Sequence, residues 1–239
     1  MDTAITVESL IVRRGKNLVL DGVSIQIQKG VITGLLGPSS SGKTTLMRAI
    51  VGVQIVESGR ITVLGHDAGS PATRRTVGYV TQSPSIYPDL SVMENVRYFA
   101  AVHDLPATSA EKAILDVGLE SQRDQLVRTL SGGQHSRASL ACALVAEPEI
   151  LILDEPTVGQ DPLLREELWQ HFHSLAKAGT TILVSSHVMD EANRCDHLVL
   201  IRDGEIIANA SPSSVKKAAG SDDLDQAFLN LIRAKEGIR

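Results

Sequence analysis

The sequence predicts a mostly parallel α/β fold with a helical insertion. Several short apolar runs are typical of strands, and helical patterns lie between them. Two of the runs, 150–154 and 181–185, are nearly continuous in Val, Ile and Leu, as expected for strands covered on both faces. The stretch 91–148 has helical patterns and no strand, so it reads as an insertion within the α/β core.

The strands and helices can be assigned in chain order. The predicted strands are 5–12, 23–28, 31–36, 77–81, 150–154, 181–185 and 197–202. Ser91 and Glu94 form a capping-box pattern that opens the insertion, which continues with a helix at about 109–117. A third helix of the insertion begins near Gly133.

The predicted helix 162–178 has clear boundaries. Asp161 is placed as its N-cap, Pro162 as its first helical residue, and Gly179 just beyond its end. Near the C-terminus, an apolar stripe predicts a further helix that packs either on the protein's own core or on a partner; its residues are Leu224, Phe228, Leu231 and Ile232.

Composition and charge restrict the class of protein. The chain has 239 residues, of which 43% are hydrophobic and 21% charged, so a sizeable core is possible and disorder is excluded. The net charge of −5 argues against salt-driven nucleic-acid binding, and no nucleic-acid partner is expected. Cys142 and Cys195 have no metal-like spacing, which favours a reducing compartment without a disulfide framework.

The sequence predicts a cytosolic protein. Its apolar runs are far shorter than the roughly 20 residues that span a bilayer. Residues 1–4 lack the basic and apolar segments of a signal peptide. We therefore expect any connection to a membrane to pass through a partner.

A glycine-rich segment indicates a phosphate-binding loop. It matches the pattern G-x-x-x-x-G-K-[ST] with Gly37, Pro38, Ser39, Ser40, Ser41, Gly42, Lys43 and Thr44. A strand precedes it and a helix over 45–51 follows it, so backbone N–H groups and the helix dipole would face the phosphates. Lys43 is expected to neutralise phosphate charge and Thr44 to bind Mg²⁺; the predicted nucleotide site also includes Thr45.

Two acidic residues follow the buried strand 150–154. Asp154 and Glu155 emerge at the carboxyl edge of the sheet, where ligands bind in open α/β folds. Asp154 suits Mg²⁺, and Glu155 is suited to polarising a water that attacks a phosphate. The sequence therefore predicts hydrolysis of a bound nucleotide.

The pentad Leu130-Ser131-Gly132-Gly133-Gln134 resembles the signature of the ABC (ATP-binding cassette) family in sequence and position. Further landmarks of that family occur in order, namely a glutamine after a strand, Gln82, the D-loop aspartate Asp161, and a histidine closing a strand, His187. The resemblance covers about residues 5–210.

The resemblance implies a P-loop NTPase (RecA-like) core with an antiparallel β subdomain and an inserted α-helical signature subdomain. On this basis the core is 1–82 with 150–210, the signature subdomain is 83–149, and a helical tail is 211–239. The resemblance also implies a head-to-tail dimer, of two copies or of one copy and a sister cassette, with ATP and Mg²⁺ at the interface.

The resemblance assigns roles to single residues. Gln82 would sense the γ-phosphate and Mg²⁺, and His187 would contact the γ-phosphate. In the partner-facing pentad, the ATP-binding residues would be Ser131, Gly132, Gly133 and Gln134. Asp161 would bind at the same interface, although its role as an N-cap already explains why an aspartate stands at this position.

Three positions differ from the family pattern, and one of them is Gln160, which precedes Asp161 where leucine is frequent. Arg14 lies where the family has an aromatic residue that stacks on adenine, and we hypothesise that its guanidinium lies on the base instead. Ser40 lies where glycine is frequent; if that position needs a positive φ, serine adds strain of order 1 kcal/mol.

Residues 87–96 and 222–229 resemble ABC-2-type exporters, in which the first segment receives a coupling helix from the membrane subunit. The predicted function is an ATPase that drives a separate polytopic membrane permease, peripheral on the inner face of the cell membrane. The alternatives are an ordinary capped helix at 87–96 and a soluble assembly or maintenance ATPase. A nucleotide-binding regulator without hydrolysis is disfavoured by Glu155 and His187.

Overall fold

The computed structural model describes residues 2–83 and 85–236. Met1, Pro84 and 237–239, which fall in the predicted core, signature subdomain and tail, lie outside the described residues. Within the described ranges, none of the helices has the length and apolar character needed to cross a membrane.

A six-stranded sheet has the strand order β10-β9-β3-β8-β7-β6. Its strands are β3 (Ile32–Leu36), β6 (Val77–Val80), β7 (Ile150–Asp154), β8 (Thr181–Ser186), β9 (His197–Arg202) and β10 (Glu205–Ala210). All neighbours are parallel except β9 and β10. Every residue of β3, β7 and β8 is buried, which confirms the expectation of a mostly parallel sheet covered on both faces.

A second sheet is antiparallel, with the order β2-β1-β4-β5. Its strands are β1 (Thr3–Arg14), β2 (Asn17–Gln28), β4 (Ser58–Val63) and β5 (His66–Asp67). It is the antiparallel part that the family resemblance implied, but β4, β5 and β10 are absent from the predicted strands.

Eight helices connect or cover the sheets in the described part of the chain. They are α1 (Lys43–Val51), α2 (Pro71–Thr76), α3 (Val92–Val102), α4 (Thr108–Asp116), α5 (Gly132–Leu144), α6 (Pro162–Lys177), α7 (Pro212–Ala219) and α8 (Leu224–Glu236). Short 3-10 helices occur at Glu120–Gln122, Val127–Thr129 and Met189–Arg194. The predicted capping box is present, since Ser91 Oγ accepts from Glu94 N–H and Glu94 Oε2 accepts from Ser91 N–H.

The six-stranded sheet separates two apolar clusters. Alternate residues of β7 point to opposite faces, and Ile150 and Ile152 lie in the cluster shared with α1 and the antiparallel sheet. Leu151 and Leu153 lie in the cluster shared with α3, α4, α5 and α6. The helical insertion is thus part of the core on one face of the sheet.

The stripe on α8 faces the second of these clusters. Leu224 is buried in it, and Phe228 and Leu231 pack against it. Ile232, on the same helix, is also buried. The interpretation that this stripe packs on the protein's own core is therefore confirmed.

Candidate functional site

The loop between β3 and α1 is shaped by its glycines. A Cβ added to Gly37 would lie 2.1 Å from the carbonyl oxygen of Ile201, and Gly42 has a φ of +107°. Glycine alone fits both positions without strain. Lys43, the first residue of α1, donates from Nζ to the carbonyl oxygens of Gly37 and Pro38 at 2.8 and 3.0 Å. The lysine thus folds back over the loop that precedes it.

Ser40 in this loop has a φ of +66°. The sequence predicts strain at Ser40 if this position needs a positive φ, and the position does have one. A serine in this conformation costs about 1 kcal/mol that glycine would avoid.

The ends of β7 and β8 meet through Ser185, which lies opposite Asp154 in the parallel register. Ser185 Oγ donates to Asp154 Oδ1 at 2.7 Å and accepts from the N–H of Glu155 at 2.9 Å. Asp154 is 1% exposed, and its Oδ2 is buried without a hydrogen-bond partner in the described part of the protein. Sequence reasoning did not select Ser185 as a site residue, although its place at the carboxyl end of a buried strand is a signal.

The carboxylate of Glu155 is the centre of the site. Its Oε1 lies 3.7 Å from Lys43 Nζ and 3.4 Å from His187 Nδ1, and its Oε2 accepts from Gln82 Nε2 at 3.0 Å. Glu155 has a φ of +53°, so the backbone turns sharply where β7 ends. Four residues selected from distant parts of the sequence are thereby brought together.

Burial and charge act in opposite directions on Lys43. Burial has the larger effect and lowers the pKa of Lys43, while the nearby carboxylates of Glu155 and Asp154 act to raise it. The two carboxylates therefore help to keep a buried lysine charged.

Several of these side chains border one cleft. It is lined by Arg14, Val19, Ser39, Ser40, Gly42, Lys43, Thr44, Thr45, Arg48, Gln82 and Glu155. Sequence reasoning missed Arg48, which lies one helical turn after Thr44 and hence on the same face of α1. Arg14 lies in the cleft at the end of β1, as its hypothesised role in binding the base requires.

The pentad and Asp161 lie outside the residues that line this cleft. Ser131 is the N-cap of α5, since its Oγ accepts from Gln134 N–H at 3.3 Å and Gln134 Oε1 accepts from Ser131 N–H at 2.9 Å. A Cβ on Gly132 would meet no described atom within 4 Å, whereas one on Gly133 would lie 3.2 Å from Leu164. Asp161 Oδ1 caps α6 by accepting from two backbone N–H groups.

The family model of ABC transporters matches residues 20–158, which include the glycine-rich loop, the pentad and Glu155. The chain belongs to the ABC transporter family. The resemblance drawn from the pentad is therefore confirmed, as is the P-loop α/β fold that it implied.

Curated relatives of this ABC chain are named as ATP-binding proteins of transport or export. It is 36% identical over 242 residues to the probable multidrug ABC transporter ATP-binding protein YbhF of Escherichia coli (strain K12), covering 97% of this chain and 42% of the relative. It is 38% identical over 215 residues to the Nod factor export ATP-binding protein I of Ralstonia nicotianae, covering 87% of this chain and 67% of the relative. The chain thus spans less than half the length of the first of these relatives.

Solved ABC structures share the fold. A structure of the ATP-binding subunit of an ABC transporter matches with a TM-score of 0.87 at 24% identity, covering 96% of this chain and 99% of the other. The cbiO1 protein of Clostridium perfringens, part of the ABC transporter complex cbiONQ, matches with a TM-score of 0.82 at 29% identity, covering 98% of each chain. ABC ATPases of this family bind ATP and ADP, and this chain is an ATP-binding cassette.

The residues selected for Mg²⁺ fit the chemistry of that ion. Mg²⁺ takes oxygen ligands and is usually held by one or two carboxylates together with substrate phosphates. Asp154 Oδ2 is a buried carboxylate oxygen without a partner in the described chain, and Thr44 and Gln82 supply a hydroxyl and an amide oxygen in the cleft. No group of three or more His, Cys, Asp or Glu that could hold a metal occurs among residues 2–83 and 85–236.

Proposed function

We propose that this cassette hydrolyses ATP at Glu155 and drives a separate membrane permease in export. The observation that carries the proposal is that the carboxylate of Glu155 contacts Lys43, Gln82 and His187. The names of the curated relatives, which refer to multidrug and Nod factor export, support the direction of transport.

The proposed chemistry is attack of a water on the γ-phosphate of ATP. Glu155 accepts a hydrogen bond from that water and orients it, while Lys43 compensates phosphate charge at the loop. Gln82 and His187 border the same carboxylate and are placed to respond to the γ-phosphate. Thr44, Gln82 and Asp154 would hold Mg²⁺, which would compensate negative charge on the phosphates.

Glu155→Gln tests this role. The amide keeps the size of the side chain but is a poor base, so we expect the ATPase rate to fall by at least about 100-fold while ATP binding is retained. The variant is expected to accumulate an ATP-bound dimer, measured by size-exclusion chromatography with ATP. Glu8→Gln, at an exposed position of β1, is the control and should turn over like the unmodified protein. Full activity in Glu155→Gln would contradict the proposal.

Our second proposal is that two cassettes form a head-to-tail dimer, with the Ser131 pentad of one closing over ATP on the Lys43 loop of the other. The N-terminus of α5 is a second anion-binding helix end that the chain's own cleft does not use. The open space around Gly132 leaves room for a ligand there. ATP and Asp161 would meet at the same interface.

Mixing two inactive variants tests the dimer. Lys43→Ala removes the phosphate contact, and Gly132→Asp places negative charge at the pentad without a backbone clash, since the added Cβ meets open space. A mixed dimer contains one site with both changes and one intact site. We therefore expect each variant alone to be inactive and the mixture to recover turnover that depends on protein concentration. No recovery on mixing would contradict a homodimer of this arrangement.

We further propose that residues 87–96 receive the permease at the inner face of the cell membrane. The buried side chain of Asn95 fixes this segment, because it accepts from the N–H of Tyr87 and donates to the carbonyl oxygens of Tyr87 and Ser91. Tyr87 and Tyr98 pack edge to face and are half exposed beside it. Co-purification with a polytopic membrane protein is the expected result, whereas an exclusively soluble complex would favour an assembly ATPase.

A further inference from the structure

Two ion pairs join α6 to the 3-10 helix that follows His187. Arg194 Nη1 donates to Glu166 Oε2 at 2.7 Å, and Arg165 Nε lies 4.0 Å from Glu191 Oε1. The charges are crossed, since α6 presents a cation followed by an anion and the 3-10 helix presents an anion followed by a cation. Glu191 and Arg194 are three residues apart and so share one face of the 3-10 helix. We refer to these four residues as the crossed pairs.

The two pairs differ in burial and geometry. Arg194 and Glu166 are partly exposed, and the Arg194 guanidinium also lies 5.9 Å from the centre of the Trp169 ring. Glu191 is 2% exposed, and neither of its carboxylate oxygens has a hydrogen-bond partner in the described chain. Its nearest cation, Arg165, is too distant for a hydrogen bond. A buried carboxylate without a close partner is costly to keep, so this position has a use beyond packing.

The crossed pairs lie between two residues of the proposed hydrolysis site. Arg165 is one helical turn from Asp161 and donates its backbone N–H to the Asp161 carbonyl oxygen at 3.0 Å. On the other side, the 3-10 helix is separated from His187 by Val188 alone, whose N–H donates to Ser186 Oγ at 2.9 Å. The crossed pairs therefore form a continuous line of contacts from the first turn of α6 to the segment that holds His187.

We propose that the crossed pairs are positioning residues. They set the distance between His187 and Glu155, and this distance depends on the position of Asp161. This inference rests on the proposed function, because it assigns the crossed pairs a part in ATP hydrolysis by a closed dimer. When a partner cassette moves Asp161, the pairs carry that movement to His187. Removing one charge uncouples the two loops and leaves nucleotide binding at Lys43 intact.

A charge exchange tests the exposed pair. We expect Glu166→Arg and Arg194→Glu each to lower kcat about fivefold with an unchanged Kd for ATP, and the double variant to recover most of the loss. Arg60→Glu is the matched control, because Arg60 pairs with Asp67 at 2.9 Å on the antiparallel sheet and should keep its kcat. Single variants with unchanged kcat, or a double variant as slow as the singles, would overturn the proposal.

Glu191→Gln separates positioning from stability and also covers the case in which the exchanged variants do not fold. A neutral amide is cheaper to bury than a carboxylate whose cation is as far as 4.0 Å away, so we expect an unchanged or higher Tm together with a kcat about fivefold lower. A purely structural side chain would lower Tm and kcat together or leave both unchanged, and either result would contradict the inference.

A further readout is independent of catalysis. Absence of ATP turnover in the unmodified chain would refute the proposed function. In that case the NMR signals of the His187 ring would still test whether the crossed pairs position His187. We expect these signals, assigned with His187→Asn, to shift in Glu166→Arg and to return in the double variant. Unshifted signals would overturn the inference.

Discussion

Two residues of the nucleotide cleft, Ser40 and Glu155, have left-handed backbone conformations without being glycine. Strain of this kind persists only where the surrounding structure holds it. At Glu155 the conformation turns the carboxylate towards Lys43, Gln82 and His187. At Ser40 the serine hydroxyl makes no hydrogen bond to any other described residue that would explain the residue type.

Ser40→Gly should therefore stabilise the protein. Glycine adopts the φ of +66° without strain, and we expect the free energy of unfolding to rise by about 1 kcal/mol in urea titrations. Ser39→Gly is the control, because Ser39 has no positive φ and the added chain freedom should cost about 0.5–1 kcal/mol. A Ser40→Gly protein less stable than the unmodified one would show that the strain argument is wrong.

The side chain of Arg14 should have a measurable effect on nucleotide binding. If its guanidinium lies on the nucleobase, Arg14→Ala should weaken ATP binding about fivefold and change the ratio of the ATP and GTP dissociation constants. The neighbouring Arg13 pairs with Glu57 at 2.9 Å, so Arg13→Ala should leave both constants unchanged. Equal affinities and equal base preference in Arg14→Ala would remove the hypothesis.

Among the elements, α8 offers a direct comparison of a buried and an exposed face. Ile232 is 5% exposed and Leu229 is 46% exposed on the same helix. We expect Ile232→Ala to lower the free energy of unfolding by about 2–3 kcal/mol, since it leaves a cavity in the core. Leu229→Ala should change it by less than about 0.5 kcal/mol. Equal effects in denaturant titrations would contradict packing of α8 on the chain's own core.

Buried apolar strands were predictable, and polar edge strands were not. The predicted run at 150–154 is β7 residue for residue, because a strand covered on both faces has a continuous apolar sequence. β4 and β10, by contrast, contain many partly or fully exposed residues, and their continuous apolar runs are at most three residues long. The helix α2 was missed, and α7 was predicted only as part of the helical tail 211–239. Each begins with a Ser-Pro pair, a recognisable N-cap followed by proline at N1.

Site residues were predictable from the sequence where they belong to short sequence motifs. The loop at Lys43 was selected from the spacing of its residues, and Asp154 and Glu155 from their place at the end of a buried strand. The pentad was selected from its resemblance to the family signature. Ser185 was not, since its contact with Asp154 depends on the register between β7 and β8, which pairs residues 31 positions apart. Arg48 was missed because a helix face becomes a cleft wall only once the antiparallel sheet is placed beside it.

At the scale of the whole molecule, both cysteines are buried in the apolar core. Cys142 lies on α5 and Cys195 lies between the 3-10 helix and β9, and both are free and buried. Burial raises the pKa of Cys142 to about 12. Burial also raises the pKa of Cys195, with smaller contributions from Glu191 and Asp196. The reactive form of a thiol is the thiolate, so both side chains are unreactive while the core is closed.

Thiol labelling should therefore report opening of the core. With a pKa of about 12, only about one Cys142 in ten thousand is a thiolate at pH 8, and raising the pH to 9 still leaves about one in a thousand. We expect Ellman's reagent to leave the native protein unlabelled on a timescale of minutes at both pH values. In 6 M guanidinium, which exposes both thiols, two should react at once. Rapid labelling of a native thiol would show that the helical face of the sheet opens without global unfolding, and Cys142→Ala would identify which half of that core had opened.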